Sequence, residues 1–262
     1  MDLFHHDILK GRRALVTGGG SGICRGIALM LARHGADVAV LSRKQDSLDA
    51  VAAEIVALGR ESLAVAADVR QPEAVEAAVG AAVTALGGVD LLVNGAAGNF
   101  LSPAVALSTN AFRTVVDIDL VGTFNVSKAC FPHLQTRPGD ACILNISATL
   151  HYGGTPMQSH VSAAKAGIDA LTRNLAVEWG PFGVRVNGIA PGGIEGTEGM
   201  RRLAPGELAE KLEARVPLRR FGSIDEIGYA AVFLASRAAA YVNGHTLVVD
   251  GGRWLDNLYL EV

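Results

Sequence analysis

The sequence predicts an α/β fold: one domain in which a doubly wound, seven-stranded parallel sheet carries helices on both faces. Three observations lead there. Short apolar runs alternate with longer amphipathic ones along the whole chain. A glycine-rich turn joins the first run to the first amphipathic stretch. The chain has 262 residues, 50% hydrophobic and only 19% charged, enough to bury one large core.

The strands are ALVTG (Ala14 to Gly18), DVAVLS (Asp37 to Ser42), SLAVAAD (Ser62 to Asp68), VDLLVNG (Val89 to Gly95), ACILNIS (Ala141 to Ser147), VRVNGIAPG (Val184 to Gly192) and HTLVVDGG (His245 to Gly252). They are short, rich in Val, Ile and Leu, and apolar on both faces, as strands covered from both sides must be. Between them, Ala and Leu recur at helical spacing over Ile23 to His34, Gln45 to Leu58, Pro72 to Leu86, Phe112 to His133, Met157 to Gly180 and Ile224 to Ala235. Gly35, Gly59 and Gly180 fall at expected helix C-caps, and Pro72 suits a first helical turn. Residues 193–216 break the rhythm. They are Gly-rich and polar, then weakly helical, and follow a strand's carboxyl end, where such sheets bind ligands. We read them as a substrate lid within the single domain.

Composition removes several classes of function. A net charge of −3 leaves no basic footprint for nucleic acid. No apolar run approaches the roughly 18 residues of a membrane span, and MDLFHHDILKG lacks a signal-peptide core. Cys24, Cys130 and Cys142 share no metal-ligand spacing and read as reduced thiols of a cytoplasmic protein. His5 and His6 have no matching ligands nearby, so no metal site is expected.

The glycine turn is Thr17-Gly18-Gly19-Gly20-Ser21-Gly22-Ile23-Cys24. Its strand-turn-helix setting makes it a dinucleotide cradle, with Gly18, Ser21, Gly22 and Ile23 presenting backbone to a pyrophosphate at a helix N-terminus. The end of the second strand should meet the adenosine ribose. A site for NAD carries an acidic residue there. This chain has Ser42-Arg43-Lys44, and a guanidinium can grip a 2′-phosphate with charge-assisted bonds. Arg25 is a candidate second cation. The expected cofactor is therefore NADPH/NADP, in a Rossmann domain.

With TGGGSGI, Asp68-Val69, Asn94 to Gly98, Lys165 on a helix, Asn187, Pro191-Gly192 and Val249 to Gly252, the chain resembles the short-chain dehydrogenase/reductase family. The resemblance implies that Asp68 bonds the adenine amino group and Val69 contacts its ring. It implies that Asn94 and the glycine turn after it stabilise the central strand, with Asn94 and Ala96 beside the cofactor, and that Pro191, Gly192 and Ile194 hold the nicotinamide amide. It also implies a homotetramer built through the two long helices and the last strand. Cys24 stands where the motif's third glycine is usual.

The family's usual machinery is Tyr-x-x-x-Lys on one helix face, with a Ser and an Asn. Here the residue four before Lys165 is Val161, the usual serine position is Ala148, and the usual asparagine position is Asp119. Three readings follow: a degraded nucleotide-binding protein, a carbonyl reductase with Tyr152 as relocated acid, and a reductase whose chemistry needs no such tyrosine. The last is supported by NGAAGNFLSPA, VVDIDLVGTFNVSKA, NISATL, AVEWGPFGVRVN and GTEGMRRL, which resemble 2,4-dienoyl-CoA reductases of the peroxisomal type. HYGGTPM at His151 to Met157 departs from that pattern, and the chain closes on Leu260-Glu261-Val262 with no peroxisomal tripeptide.

That resemblance implies an acyl-CoA substrate. Reducing a dienoyl thioester places charge on the thioester oxygen and a proton on carbon, so no ketone oxygen needs protonating. Lys165 and Asp119 are the expected catalytic pair. Asn99, Phe100, Ser147, Tyr152 and His160 are expected to line the acyl pocket, and Arg201 to meet CoA phosphates. His151 is a further candidate proton relay. A 3-oxoacyl or enoyl thioester reductase is the alternative enzyme.

Overall fold

The computed structural model describes residues 3–204 and 206–255. Its elements alternate as β1 (Arg13–Thr17), α1 (Gly22–Arg33), β2 (Asp37–Ser42), α2 (Gln45–Ala57), β3 (Ser62–Ala66), α3 (Pro72–Leu86) and β4 (Leu91–Asn94). They continue through α4 (Thr109–Val116), α5 (Gly122–Leu134), β5 (Cys142–Ile146), α6 (Leu150–Gly153), α7 (Ser159–Trp179) and β6 (Arg185–Pro191). The chain then runs through α8 (Glu198–Leu203), α9 (Glu207–Ala214), α10 (Ile224–Ala235) and β7 (Thr246–Val249).

The strands form one seven-stranded sheet in the order β3-β2-β1-β4-β5-β6-β7, parallel throughout. The order reverses between β1 and β4, and such switch points hold ligands at the strands' carboxyl ends. Alternate residues of β1 serve opposite faces: Ala14 and Val16 join the core under α1, α2 and α10, while Leu15 joins the core under α3, α5 and α7. Both faces are dry, which is why the strands read as continuous apolar runs.

Four features depart from the expectation. The helix expected over Phe112 to His133 begins at Thr109 and is interrupted by a π-helical turn at Asp117–Val121. Gly180 ends α7 with a helical φ of −52°, and the left-handed residue is Gly183, after a 3-10 turn. The short helix α6 was not foreseen, because one turn carries too little periodicity to read. The lid segment is two helices, α8 and α9, pinned at its base where Ile194 bridges to Gly222. The C-terminal Leu260-Glu261-Val262 lies outside the described residues.

Candidate active site

The glycine turn leaves β1 and enters α1 at the switch point. Gly18 sits at φ +69°, and a Cβ there would come within 2.7 Å of the Gly95 carbonyl oxygen. Thr17 Oγ1 accepts the Gly95 and Ala96 amides at 2.9 and 3.2 Å, locking the two turns together. Gly22 is at φ +56° with open space beside it, and Ser21 caps α1 without a side-chain bond. Unused amides at a helix start with room in front suit a pyrophosphate. Cys24 replaces the third glycine by packing its sulfur under Gly95, where no Cβ exists to obstruct it.

At the end of β2, Arg43 and Lys44 are exposed, and Ser42 and Ser47 border Gly20. Arg43 is close enough to help hold the Asp68 carboxyl below its usual range, behind the stronger hydrogen bonds from Arg70. Arg25 does not meet its expectation: its guanidinium is bound to both oxygens of Glu54 on α2, at 2.6 and 2.8 Å. Both bonds come from Nη2, so Glu54 draws the Arg25 side chain toward α2. Asp68 also carries a bidentate partner, Arg70, and the Val69 carbonyl accepts from Asn125. Asn94 donates to Ser127 Oγ and Asn145 Oδ1, tying β4 to β5. Pro191 and Gly192 leave β6 against β7, with the Gly192 amide on the Val249 carbonyl, and Ile194 is buried. The glycine turn, the open start of α1 and the β6–β7 end suit a nicotinamide dinucleotide, while Arg25 and Asp68 are each held by a protein partner.

The π-helical turn turns Asp119 inward, fully buried. Such turns recur at functional sites. Its Oδ1 accepts the Gly98 amide at 2.7 Å, and its Oδ2 lies 3.3 Å from Lys165 Nζ without well-formed hydrogen-bond geometry. Burial pushes this carboxyl above its ordinary value, opposed by the Lys165 charge. Lys165 is itself buried and donates to the Ile146 carbonyl at 2.9 Å. Val161, at the usual tyrosine position, is closed inside the protein.

Around that pair the structure brings together most of the expected acyl-pocket residues. Phe100, 40% exposed, packs on His160 with ring centroids 4.4 Å apart and the planes tilted by 36°. Asn99 donates to Gln158 at 2.8 Å. Asn99 Oδ1, Ser147 Oγ and both His160 ring nitrogens are buried without a hydrogen-bond partner. Native proteins rarely strand so many polar atoms in one place unless something binds there. Gln158 was missed, though Met157 before it adopts φ +64°, a turn no helical pattern shows.

Two expected residues point elsewhere. The Tyr152 phenol donates to Asp169 Oδ2 at 3.1 Å, and His151 Nε2 shares that oxygen at 2.9 Å. Burial and then the Asp169 charge push the phenol's pKa up, so Tyr152 makes a poor relocated acid and His151 is held in the same knot. Asp169 is one helical turn after Lys165, and Thr246 of β7 also donates to it. The missed signal was a second charge four residues after Lys165, on the same buried face of α7. Arg201 sits on exposed α8, paired with Glu198, which also binds Arg202. No preformed phosphate clamp exists there.

The match with known proteins follows this geometry. A family model described as enoyl-(acyl carrier protein) reductase covers residues 18–253. A Danio rerio protein named peroxisomal 2,4-dienoyl-CoA reductase [(3E)-enoyl-CoA-producing] is 50% identical over 97% of this chain and 85% of its own length. The chain belongs to the short-chain dehydrogenase/reductase family. It is an oxidoreductase, and such reductases use a nicotinamide cofactor. A Bacillus subtilis short-chain reductase, named probable 2,4-dienoyl-CoA reductase [(2E)-enoyl-CoA-producing], is 39% identical over 95% of this chain and 98% of its own. Among solved short-chain dehydrogenases, a Burkholderia cenocepacia gluconate 5-dehydrogenase in complex with NADP and tartrate superposes with a TM-score of 0.89. It is 34% identical and covers 95% of this chain and 97% of that one.

The expected cytoplasmic location is corrected by the same comparison. Relatives from Danio rerio, Arabidopsis thaliana and Rattus norvegicus are all named peroxisomal. Reduced cysteines and a mild net charge do not separate one reducing compartment from another, and an address read by a receptor leaves no trace in a domain's composition.

Proposed function

We propose that this short-chain reductase reduces 2,4-dienoyl-CoA thioesters with NADPH. One observation carries the reading: the tyrosine position is a buried valine, while a buried Asp119–Lys165 pair joins Gly98 to the end of β5 at Ile146. A ketone reductase needs a donor to the oxygen receiving charge. A conjugated thioester instead needs its oxygen stabilised and a proton delivered to carbon.

Bound NADPH supplies the hydride. The Gly18–Gly22 turn and the free start of α1 would hold its pyrophosphate, and Arg43, flanked by Ser42 and Lys44, its 2′-phosphate. The absence of a carboxylate at the end of β2 favours NADPH over NADH. Asp68 and Val69 would receive the adenine, and Pro191, Gly192 and Ile194 the nicotinamide amide. Lys165 has three donors, one of them on Ile146, so it can still hold a ribose hydroxyl and offer charge toward the substrate. Asp119, held in place by Gly98, orients a water or supplies the proton near Cα. Asn99, Phe100, Ser147 and His160 line the acyl pocket, closed by the lid over 193–216. The exposed apolar faces of α4, α5 and α7, with Phe112, Phe124 and Val177, support a homotetramer.

The test is NADPH oxidation with a panel of acyl-CoA substrates. Turnover with 2,4-dienoyl-CoA and little with 3-oxoacyl-CoA is expected. Faster 3-oxoacyl-CoA reduction would sink the assignment. Tight NADPH binding with no turnover at all would mark a protein that only binds nucleotide.

A further inference from the structure

The loss of the usual tyrosine leaves a question about the oxygen it would have touched. Hydride addition to a conjugated thioester drives charge onto the thioester carbonyl oxygen, and that oxygen needs donors. The polar atoms left unpartnered in the pocket can be sorted by what they offer. Asn99 Oδ1 only accepts, and Asp119 is assigned above to the proton delivered to carbon. Lys165 has one donor on Ile146, faces Asp119, and is assigned above to the nicotinamide ribose. Two donors remain, the Ser147 hydroxyl and the His160 imidazole.

His160 is the better placed of the two. It sits on the first turn of α7, one residue before Val161, so the helix that lost the phenol still presents a polar group at this end. Its ring is fully buried, and both nitrogens lack a well-formed hydrogen bond. The face of the ring is held by Phe100, which is itself open to the pocket mouth. Burial lowers its pKa, offset in part by a loose hydrogen bond to the Phe100 main chain and by the Asp119 charge, so the ring is neutral and its one N–H turns from the Phe100 carbonyl to meet a substrate.

We propose that His160 is a catalytic residue in place of the missing tyrosine, donating a hydrogen bond to the thioester carbonyl oxygen. The inference rests on the acyl-thioester reading above. The ring transfers no proton in this role; it stabilises charge that appears and then leaves the oxygen. Packing on Phe100 fixes the ring in advance, so no reorganisation is needed when the charge develops.

The experiment compares wild type with His160→Phe, which keeps the ring packing but has no N–H, and His160→Gln, which restores a donor. The direct readout is isotope-edited infrared of a 2-enoyl-CoA labelled at the thioester carbonyl, bound with NADP. The carbonyl stretch should fall to lower frequency on the wild type, return toward the free value on His160→Phe, and fall again on His160→Gln. Turnover of a 2,4-dienoyl-CoA should drop about 10²-fold in His160→Phe, as for loss of one oxyanion donor, with NADPH affinity unchanged. His160→Leu replaces the Phe variant if that one does not fold. A wild-type stretch equal to the free thioester's, or one unmoved by removing the donor, overturns the proposal. So does a parallel loss of NADPH affinity. A clear shift without any turnover leaves the His160 contact standing and removes the dienoyl-CoA assignment instead.

Discussion

Two buried carboxylates, Asp169 on α7 and Asp119 on the π-helical turn packed beside it, are used in opposite ways. Asp169 takes three side-chain donors, His151 and Tyr152 from α6 and Thr246 from β7. Asp119 takes one backbone amide and a lysine at ion-pair distance, and its second oxygen has no well-formed hydrogen bond. A carboxylate whose acceptor sites are filled fixes geometry. One left short in a dry pocket is raised in pKa and available to a reaction. Under the proposed mechanism, burial alone does not mark the reactive acid; the count of donors around it does.

The strongest way to break this contrast is to remove the lysine. Lys165→Ala is expected to lower turnover by about 10⁴-fold, from roughly 10² for lost positioning and 10² for lost charge. It also strands a buried carboxylate, lowering stability by about 3–5 kcal/mol in denaturant unfolding. Lys165→Arg should recover little, because a planar fork does not replace a compact ammonium. Near-normal turnover in Lys165→Ala would make the lysine structural and bring the two carboxylates back to one class.

Asp119→Asn asks whether the proton matters. Turnover should fall by about 10²–10⁴-fold, the span of general acid–base groups, while NADPH binding holds. The pH profile sharpens the point. Because the folded carboxyl is raised, its proton survives above the usual carboxylate range and is lost as pH rises through that raised value. Wild-type turnover that uses the proton declines over the same rise, and the Asn variant should lack that limb. An Asn variant of full activity would leave Asp119 as a holder of Lys165 only.

Arg43→Ala tests the cofactor end, where recognition rather than chemistry is at stake. NADPH affinity should weaken by about 1.5–3 kcal/mol, the value of a bond to a charged group, with NADH barely changed. Equal wild-type affinity for both cofactors in a fluorescence titration removes the assignment. The smallest effect on turnover belongs to Asp169→Ala. It should reduce stability by about 1–3 kcal/mol through its stranded partners while kcat stays within about tenfold. A loss of turnover as deep as that of Asp119→Asn would end the contrast between the two acids.

Most of the fold was legible in the sequence because each strand is apolar on both faces and each helix obeys one period. The glycine turn was legible for a similar reason: its residues act through backbone, and their order is the structure. What could not be read was every feature set by side chains meeting across elements. Arg25 looked free because Glu54 lies 29 positions away. Tyr152 looked like a pocket residue because nothing local shows Asp169 pulling it aside. The π-helical turn hides inside a helical pattern, since it widens the helix by one residue without changing composition.

The sulfur of Cys24 beneath Gly95 sets an order on how this chain can change. A side chain at position 95 would meet that sulfur at 2.0 Å, and position 24 packs closely only because 95 is bare. The pair behaves as a one-way gate for mutation: from this sequence, 24 must shrink before 95 can grow. Gly95→Ala should therefore fail alone and be eased by prior Cys24→Gly, although the Thr17 carbonyl at 3.3 Å still crowds the new methyl.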